Sequence, residues 1–280
     1  MHVRRRLAPS QRRAALQVLA LLLCGATALA APARNVSFVV DGLPLHYYQA
    51  ELLLFSLRVF GQQPRDSVLV HVTPTVAPEF LEWLASGGYA YRTIKPVLGR
   101  GRHLNKLAQL AAFAEPGALP PGGGVFLLDA DTFVLQPLAP PCADAVCAKV
   151  VDTSNPPIRV IQSLLAAAGV PEPAQVPSDC SDIPTFAPNV NGGYYYVPAG
   201  LAGRVAAAWL ARAQWLVDNS RRVLAGFPAQ EQRAAVYHTD QLAMLMAVAG
   251  DGVPLSTVPA NLNFPLHFAC SPASYDAARP

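Results

Sequence analysis

Asp129 and Asp131 stand one residue apart, directly behind the apolar run Val125-Phe126-Leu127-Leu128, which Gly122-Gly123-Gly124 precede. On an extended backbone, residues two apart point to the same side. Two carboxylates that close repel each other unless one is protonated or a divalent cation neutralises them. Oxygen donors suit Mg2+ or Mn2+, which bind a few carboxylates together with substrate phosphates. The pair therefore points to a metal-bridged diphosphate. Asp-x-Asp also arises by chance in loops, so its weight here comes from its position behind a buried run.

Two further clusters could meet a ligand. Asn191-Gly192-Gly193 opens the run "NVNGGYYYVP". Glycine lets a backbone approach a ligand closely, and Asn offers it both a donor and an acceptor; a glycine bulge in a strand is the plainer reading. Asp240 and Gln241 stand at the start of "HTDQLAMLMAVAG". They can bind hydroxyls, with Asp240 a candidate general base. A carboxylate in a first helical turn is equally a partner of the helix dipole.

The elements that must hold these residues alternate. "NVSFVVDG" (35–42) and "SVLVHVT" (67–73) read as strands, and "YRTIKPV" as a weaker third. Between and after them, "YYQAELLLFSLRVFG", "APEFLEWLASGG" and "HLNKLAQLAAFAEPG" read as helices stopped by glycine or Pro-Gly. Val125–Leu128 is too short for a helix and reads as a buried central strand. This order predicts an α/β fold with a parallel sheet covered on both faces, and ligands in such sheets bind outside the carboxyl ends of the strands. Residues 152–188 read as mostly loop, apart from the helix "IRVIQSLLAAAG". A strand from Asn191, a helix near 202–219, a helix capped by His238 or Thr239, and a last strand in "VPLSTVPANLNF" complete the chain.

Hydrophobic residues make up 52% of the chain and charged ones 14%, which excludes a disordered polyelectrolyte. The formal charge of +3 arises at the N-terminus: without Arg4, Arg5, Arg6, Arg12 and Arg13, 16 basic residues face 18 acidic ones, a net charge of −2. No basic stripe remains to bind nucleic acid. The basic start, the uncharged stretch from Ala14 to Ala33 and the small residues Ala28-Leu29-Ala30 predict a signal peptide over 1–30, or a single membrane signal-anchor. The expected location is the secretory-pathway lumen or outside the cell, with the body either released or anchored. Cys142, Cys147, Cys180 and Cys270 would then form two disulfides, in any of three pairings.

"FLLDADTFVLQPL" (126–138) resembles the metal-binding block of the GT-A-fold glycosyltransferases, in particular the glycogenin and lipopolysaccharide galactosyltransferase type. "FVVDGLPLHYYQAELLLFSLR" resembles their first strand, base loop and helix. "GRHLNKLAQLAAF" is similar to the helix that carries a Lys or Arg to the donor, "NVNGGYYYVP" to their Asn-Ala-Gly segment, and "HTDQLAML" to their Asp-Gln helix. Five such blocks, in the family's order, span most of 35–265. The resemblance implies one GT-A-type, Rossmann-like catalytic domain over 31–280, with a nucleotide-sugar half at about 35–140 and an acceptor half at about 141–280. It implies a hexosyl- or pentosyltransferase moving sugar from a nucleotide-diphosphate sugar to a glycan, protein or lipid-linked acceptor, with Mn2+ or Mg2+ as cofactor.

Carried over by position, Asp129 and Asp131 would hold metal and diphosphate, and Asp41 with Tyr47 or Tyr48 would flank base and ribose. Lys106, one of three lysines, would neutralise phosphate charge, in competition with Arg100 and Arg102. Asn191, Gly192, Gly193 and Gln241 would contact the donor, and Asp240 the reacting centre. The family's third metal ligand is a late histidine, often near Gly and Lys. Here "NFPLHFACSP" offers only His267, which beside Phe264 and Phe268 also fits a packed core position. The rival readings are a catalytically silent carbohydrate-binding relative and a haloacid-dehalogenase-type phosphatase. The latter expects Thr or Val where Phe133 stands.

Overall fold

The computed structural model describes residues 34–98, 102–179, 181 and 183–263. The predicted targeting segment at 1–30, Arg100, Cys180, Cys270 and His267 lie outside these residues.

Among the described residues, nine strands occur in chain order: β1 (Val36–Val40), β2 (Val68–Val72), β3 (Ala90–Thr93), β4 (Gly124–Leu128), β5 (Val146–Val150), β6 (Gln175–Pro177), β7 (Pro184–Phe186), β8 (Val190–Pro198) and β9 (Leu255–Thr257). The α-helices are α1 (Pro44–Val59), α2 (Pro78–Ser86), α3 (Asn105–Phe113), α4 (Ile158–Ala167), α5 (Ala199–Val223), α6 (Ala229–Tyr237) and α7 (Thr239–Asp251). Seven strands form one sheet in the order β3-β2-β1-β4-β8-β5-β9, and β6 and β7 pair in a separate hairpin. The α/β class and the mostly parallel, Rossmann-like sheet agree with the sequence reading.

The sheet is mixed rather than wholly parallel. Strand β8 runs antiparallel to both β4 and β5, with Leu128 opposite Tyr194. This reversal matters for the site. The start of β8, carrying Asn191-Gly192-Gly193, therefore lies at the carboxyl end of β4, where the aspartates emerge.

Both faces of the sheet are covered, and the side-chain alternation of each strand splits the core in two. On one face Ala50, Leu53, Leu54 and Leu57 of α1 and Phe80 and Leu84 of α2 pack on Phe38, Val70, Phe126 and Tyr196. On the other, Leu107 and Leu110 of α3, Val205 and Trp209 of α5 and Leu242 and Met246 of α7 pack on Val125, Leu127, Tyr195 and Val197. All five residues of β4 are buried, as the continuous apolar run predicts for a strand covered on both faces. Burying each Leu or Phe contributes about 1.5–3 kcal/mol, so β4 is a firm mount for the two aspartates beyond its end.

The helix boundaries reflect local chemistry. Helices α1 and α2 each begin at a proline, whose fixed φ and missing N–H suit the first turn. Thus α1 starts three residues before the Tyr47 expected from the pattern. Strand β5 and helix α6 are additions to the sequence reading, and the hairpin β6–β7 replaces part of the expected loop. His238 occupies the N-cap position of α7, but no side chain caps that helix. Thr239 instead bonds back to the carbonyls of Ala235 and Val236, tying α7 to the end of α6. Cys142 and Cys147 bring their sulfurs together, with Cα atoms 6.4 Å apart.

Candidate active site

Strand β4 ends at Leu128, and the chain turns at once: the Thr132 N–H donates to the Asp129 carbonyl at 3.1 Å. The extended backbone expected for Asp129–Asp131 is therefore corrected to a turn. Local hydrogen bonding, not strand pleating, brings the two carboxylates to one place. The turn is anchored to β8, because the Gly193 carbonyl accepts both the Asp129 N–H at 3.1 Å and the Thr132 hydroxyl at 3.4 Å.

Lys106 meets Asp129 from α3. Its Nζ lies 2.6 Å from Asp129 Oδ1 and also donates to the Gly192 carbonyl. The Lys106 side chain is only 6% exposed, while that of Asp129 is 42% exposed. The ammonium also sits 5.8 Å from the centre of the Tyr195 ring, within cation–π range. Lys106 is thus a buried member of the site rather than a solvated helix position. Its charge is already shared between a carboxylate and a carbonyl.

Gly192 shows how closely the parts converge. A Cβ placed there would lie 3.1 Å from Asp240 Oδ2, 3.3 Å from Gln241 Nε2 and 3.4 Å from Lys106 Nζ. A side chain at 192 would need those three groups to give way by a few tenths of an ångström. Asp240 is buried at the start of α7, and its carbonyl accepts the indole N–H of Trp209 at 2.7 Å. Burial pushes the Asp240 carboxyl up and the charge of Asp129 adds to this, while Lys106, His103 and the Gln241 N–H oppose it. A carboxylate whose charge is this costly fits a group that exchanges protons more than a plain dipole partner.

Asn191 is held by a polar chain that the sequence did not reveal. Its Nδ2 donates to Asp152 Oδ2 at 2.8 Å, and its Oδ1 accepts the Gly193 N–H at 2.8 Å and the Asn263 Nδ2 at 3.2 Å. The other Asp152 oxygen pairs with Lys149, which also lies 3.0 Å from Asp179. Lys149 is 1% exposed. A buried ion pair therefore orients Asn191, and Asn191 fixes the glycine whose carbonyl holds the turn at Asp129.

Two connected lobes open around these residues. One, of about 1200 Å³, is lined by Asp41, His46, Lys106, Asp129 and Asp131, with α5 and α6 opposite. The other, of about 900 Å³, holds Asp152, Asn155, Asn191, Gly192, Asp240 and Gln241. His103, Asp129, Asp131, Arg233 and Tyr237 line both, so they mark the junction. In the second lobe Asn155 Nδ2 lies 3.2 Å from His238 Nε2. Burial, helped by nearby His103, lowers the His238 pKa to about 4.

Of the residues expected from sequence, Asp41, Lys106, Asp129, Asp131, Asn191, Gly192, Asp240 and Gln241 all line one or both lobes. Gly193 stands just behind them, and Asp41 is 2.7 Å from His46 Nδ1. Tyr47 and Tyr48 line neither lobe. The Tyr47 hydroxyl accepts the Ala77 N–H at 2.8 Å and its ring stacks on Phe80 at 4.5 Å, which is a packing role. Tyr48 is 60% exposed on the outside of α1. His46 and Gln49 are the α1 residues that line the larger lobe, so Tyr47 and Tyr48 fall on other faces of the helix. Sequence reading missed His103, Asp152, Asn155, Arg233, Tyr237 and His238. Pro228 ahead of a run of good helix formers was the signal that would have found α6.

The carboxylate pair fits a hard divalent cation by its oxygen chemistry and shared place on both lobes. Among the described residues no third His, Cys, Asp or Glu joins them, so substrate phosphate and water would complete the shell.

No protein-family model matches the chain, and no curated protein matches it. Among solved structures, the chain is similar to an active-site mutant of LgtC (14% identity, 86% of this chain and 81% of that one, TM-score 0.48). It is also similar to the galactosyltransferase LgtC in complex with donor and acceptor sugar analogs (15% identity, 81% and 74% of the chains, TM-score 0.46). A third is the apo structure of the bifunctional glycosyltransferase WbbM (14% identity, 82% of this chain and 39% of that one, TM-score 0.42). At these values the functional reading rests on this chain's own residues.

Proposed function

We propose that the chain is a glycosyltransferase that takes its sugar from a nucleoside-diphosphate sugar. The observation that carries this is the convergence of four sequence blocks at one end of the sheet. Asp129, Lys106, Gly192 and Asp240 come from the end of β4, α3, β8 and α7, and they meet where the two lobes join. A nucleoside-diphosphate sugar is a two-part ligand with its charge in the middle, and this cavity has the same layout. Asp41 lies in the larger lobe with room for base and ribose. Asn191 and Gln241 offer amides to sugar hydroxyls in the smaller lobe, where an acceptor would also enter.

Asp129 and Asp131 would hold Mn2+ or Mg2+, which when bound supplies positive charge to the diphosphate as it leaves. Lys106 holds the Asp129 carboxylate in place through their 2.6 Å ion pair. Asp240 stands beside Gly192, placed to accept or hold a proton from an approaching hydroxyl. The uncharged N-terminal stretch and the adjacent Cys142 and Cys147 support an exported or lumenal setting, where that pair would be oxidised.

The test is a thermal-shift screen of nucleoside-diphosphate sugars with Mn2+, and then assay of donor hydrolysis and transfer. A ligand present at 100 times its Kd should stabilise the fold by about 2.7 kcal/mol. Turnover that is lost in Asp129→Ala, with the fold intact, supports the reading. Binding without turnover would make the chain a silent carbohydrate binder, and neither binding nor turnover with any donor would sink the proposal.

A further inference from the structure

Resting on that reading, we propose that Arg233, on α6, is the residue that grips the donor diphosphate. A diphosphate links nucleoside to sugar, so in a two-lobed site it must lie where the lobes meet. That junction is lined by His103, Asp129, Asp131, Arg233 and Tyr237. Among the described side chains, Arg233 is the only lysine or arginine that lines both lobes.

Its competitors among the described side chains are already committed. The Lys106 ammonium is buried between Asp129 and the Gly192 carbonyl. His46 faces Asp41 at 2.7 Å, and the His103 ring packs edge-on against Tyr237 at 4.2 Å. Arg221, at the last turn of α5, reaches only the larger lobe. Arg233 is exposed and makes no ion pair with a described residue. A guanidinium presents donors in a planar fork that matches phosphate oxygens two at a time.

Helix α6 turns a whole face towards this cleft. Ala229, Gln232, Arg233, Val236 and Tyr237 all line the larger lobe, and their spacing is one continuous stripe of an α-helix. Val236 and Tyr237 remain 55% and 57% exposed, so the stripe faces open cavity rather than packed core. Charge balance points the same way. With Lys106 beside them, Asp129, Asp131 and a divalent cation leave about one positive charge on this wall, less than a diphosphate carries, so further positive charge must come from the other wall of the cleft.

The experiment is calorimetric titration of wild type, Arg233→Gln and Arg233→Lys, each with Mn2+. The probes are inorganic pyrophosphate, UDP, GDP and ADP, with orthophosphate and the three nucleosides as controls. Wild type should bind pyrophosphate or at least one diphosphate. Arg233→Gln should weaken that binding roughly 10- to 100-fold, the span expected for one lost charged hydrogen-bonding group. It should leave nucleoside binding unchanged, and Arg233→Lys should recover part of the loss. Because Arg233 is exposed, both variants should keep the wild-type melting temperature. Equal diphosphate affinity in wild type and Arg233→Gln overturns the inference with the proposed function intact. If wild type binds none of the probes, the donor reading fails and takes this inference with it.

Discussion

Replacing Lys149 by Met tests whether the buried ion pair behind the site holds the fold together or is dispensable. Lys149 is 1% exposed and Asp152 is 4% exposed, while Asp179 is 25% exposed. Without the ammonium, Asp152 would be a buried carboxylate that keeps the Asn191 amide at 2.8 Å and loses the Lys149 cation. Removing one partner of a buried pair costs about 3–5 kcal/mol, because the other charge stays desolvated. At about 2–4 °C per kcal/mol for a domain of this size, the melting temperature should fall by roughly 6–20 °C. Exposed to water on one side, Asp179 can rehydrate and adds little to the loss. The double variant Lys149→Met/Asp152→Asn also removes the buried carboxylate charge, and its amide oxygen can still accept from Asn191. It should regain most of the loss and end within about 1–2 kcal/mol of wild type. Urea unfolding of wild type, both single variants and the double variant, monitored by circular dichroism, gives the cycle. The reasoning is refuted if Lys149→Met loses less than about 1 kcal/mol, or if the double variant is less stable than Lys149→Met.

Gly192→Ala should cost about 1–3 kcal/mol in stability, since its Cβ meets Asp240 and Lys106 at 3.1 and 3.4 Å. Displacing those groups should lower turnover about 100-fold, and unchanged turnover would show that they are not held for chemistry. Burial, with Arg92 nearby, lowers the His71 pKa to about 3, and its Nδ1 lies 2.8 Å from the Ser37 hydroxyl. The unfolded chain takes up a proton there below about pH 6.5 that the folded chain refuses, so stability rises with pH from about 3 to 6.5 and then levels. Going from pH 7 to 5 should therefore cost about 2 kcal/mol that His71→Leu does not show, and parallel pH profiles would contradict this. Tyr47→Phe removes the bond from the Ala77 N–H and should cost about 0.5–1.5 kcal/mol by denaturant titration. It should leave nucleotide affinity unchanged; weaker binding would return Tyr47 to the site.

The clearest parts of the fold in the sequence were those set by neighbours along the chain. Val125–Leu128 is bounded by glycines on one side and aspartates on the other, which leaves a buried strand as its one stable use. Pro78 and Gly87 bracket α2 for reasons internal to that helix. The same local logic exposed Asp129, Asp131, Gly192 and Asp240 as candidates, because a charge at a strand tip or a glycine in a strand departs from the pattern around it.

What the sequence could not supply were relations between distant residues. Strand β5 hid because Lys149 interrupts its apolar run, and that lysine is tolerable inside only because Asp152 and Asp179 come to meet it. The reversed direction of β8 is a choice among strand pairings that its own residues do not encode. Yet that reversal carries Gly192 and Gly193 to the end of β4. Lys106 finds Gly192 across 86 residues of chain, and Asp240 reaches the same point from α7. Composition and periodicity determined which residues could do chemistry. Only tertiary packing decided which of them meet, because the energy of a long-range contact belongs to both partners and is written in neither alone.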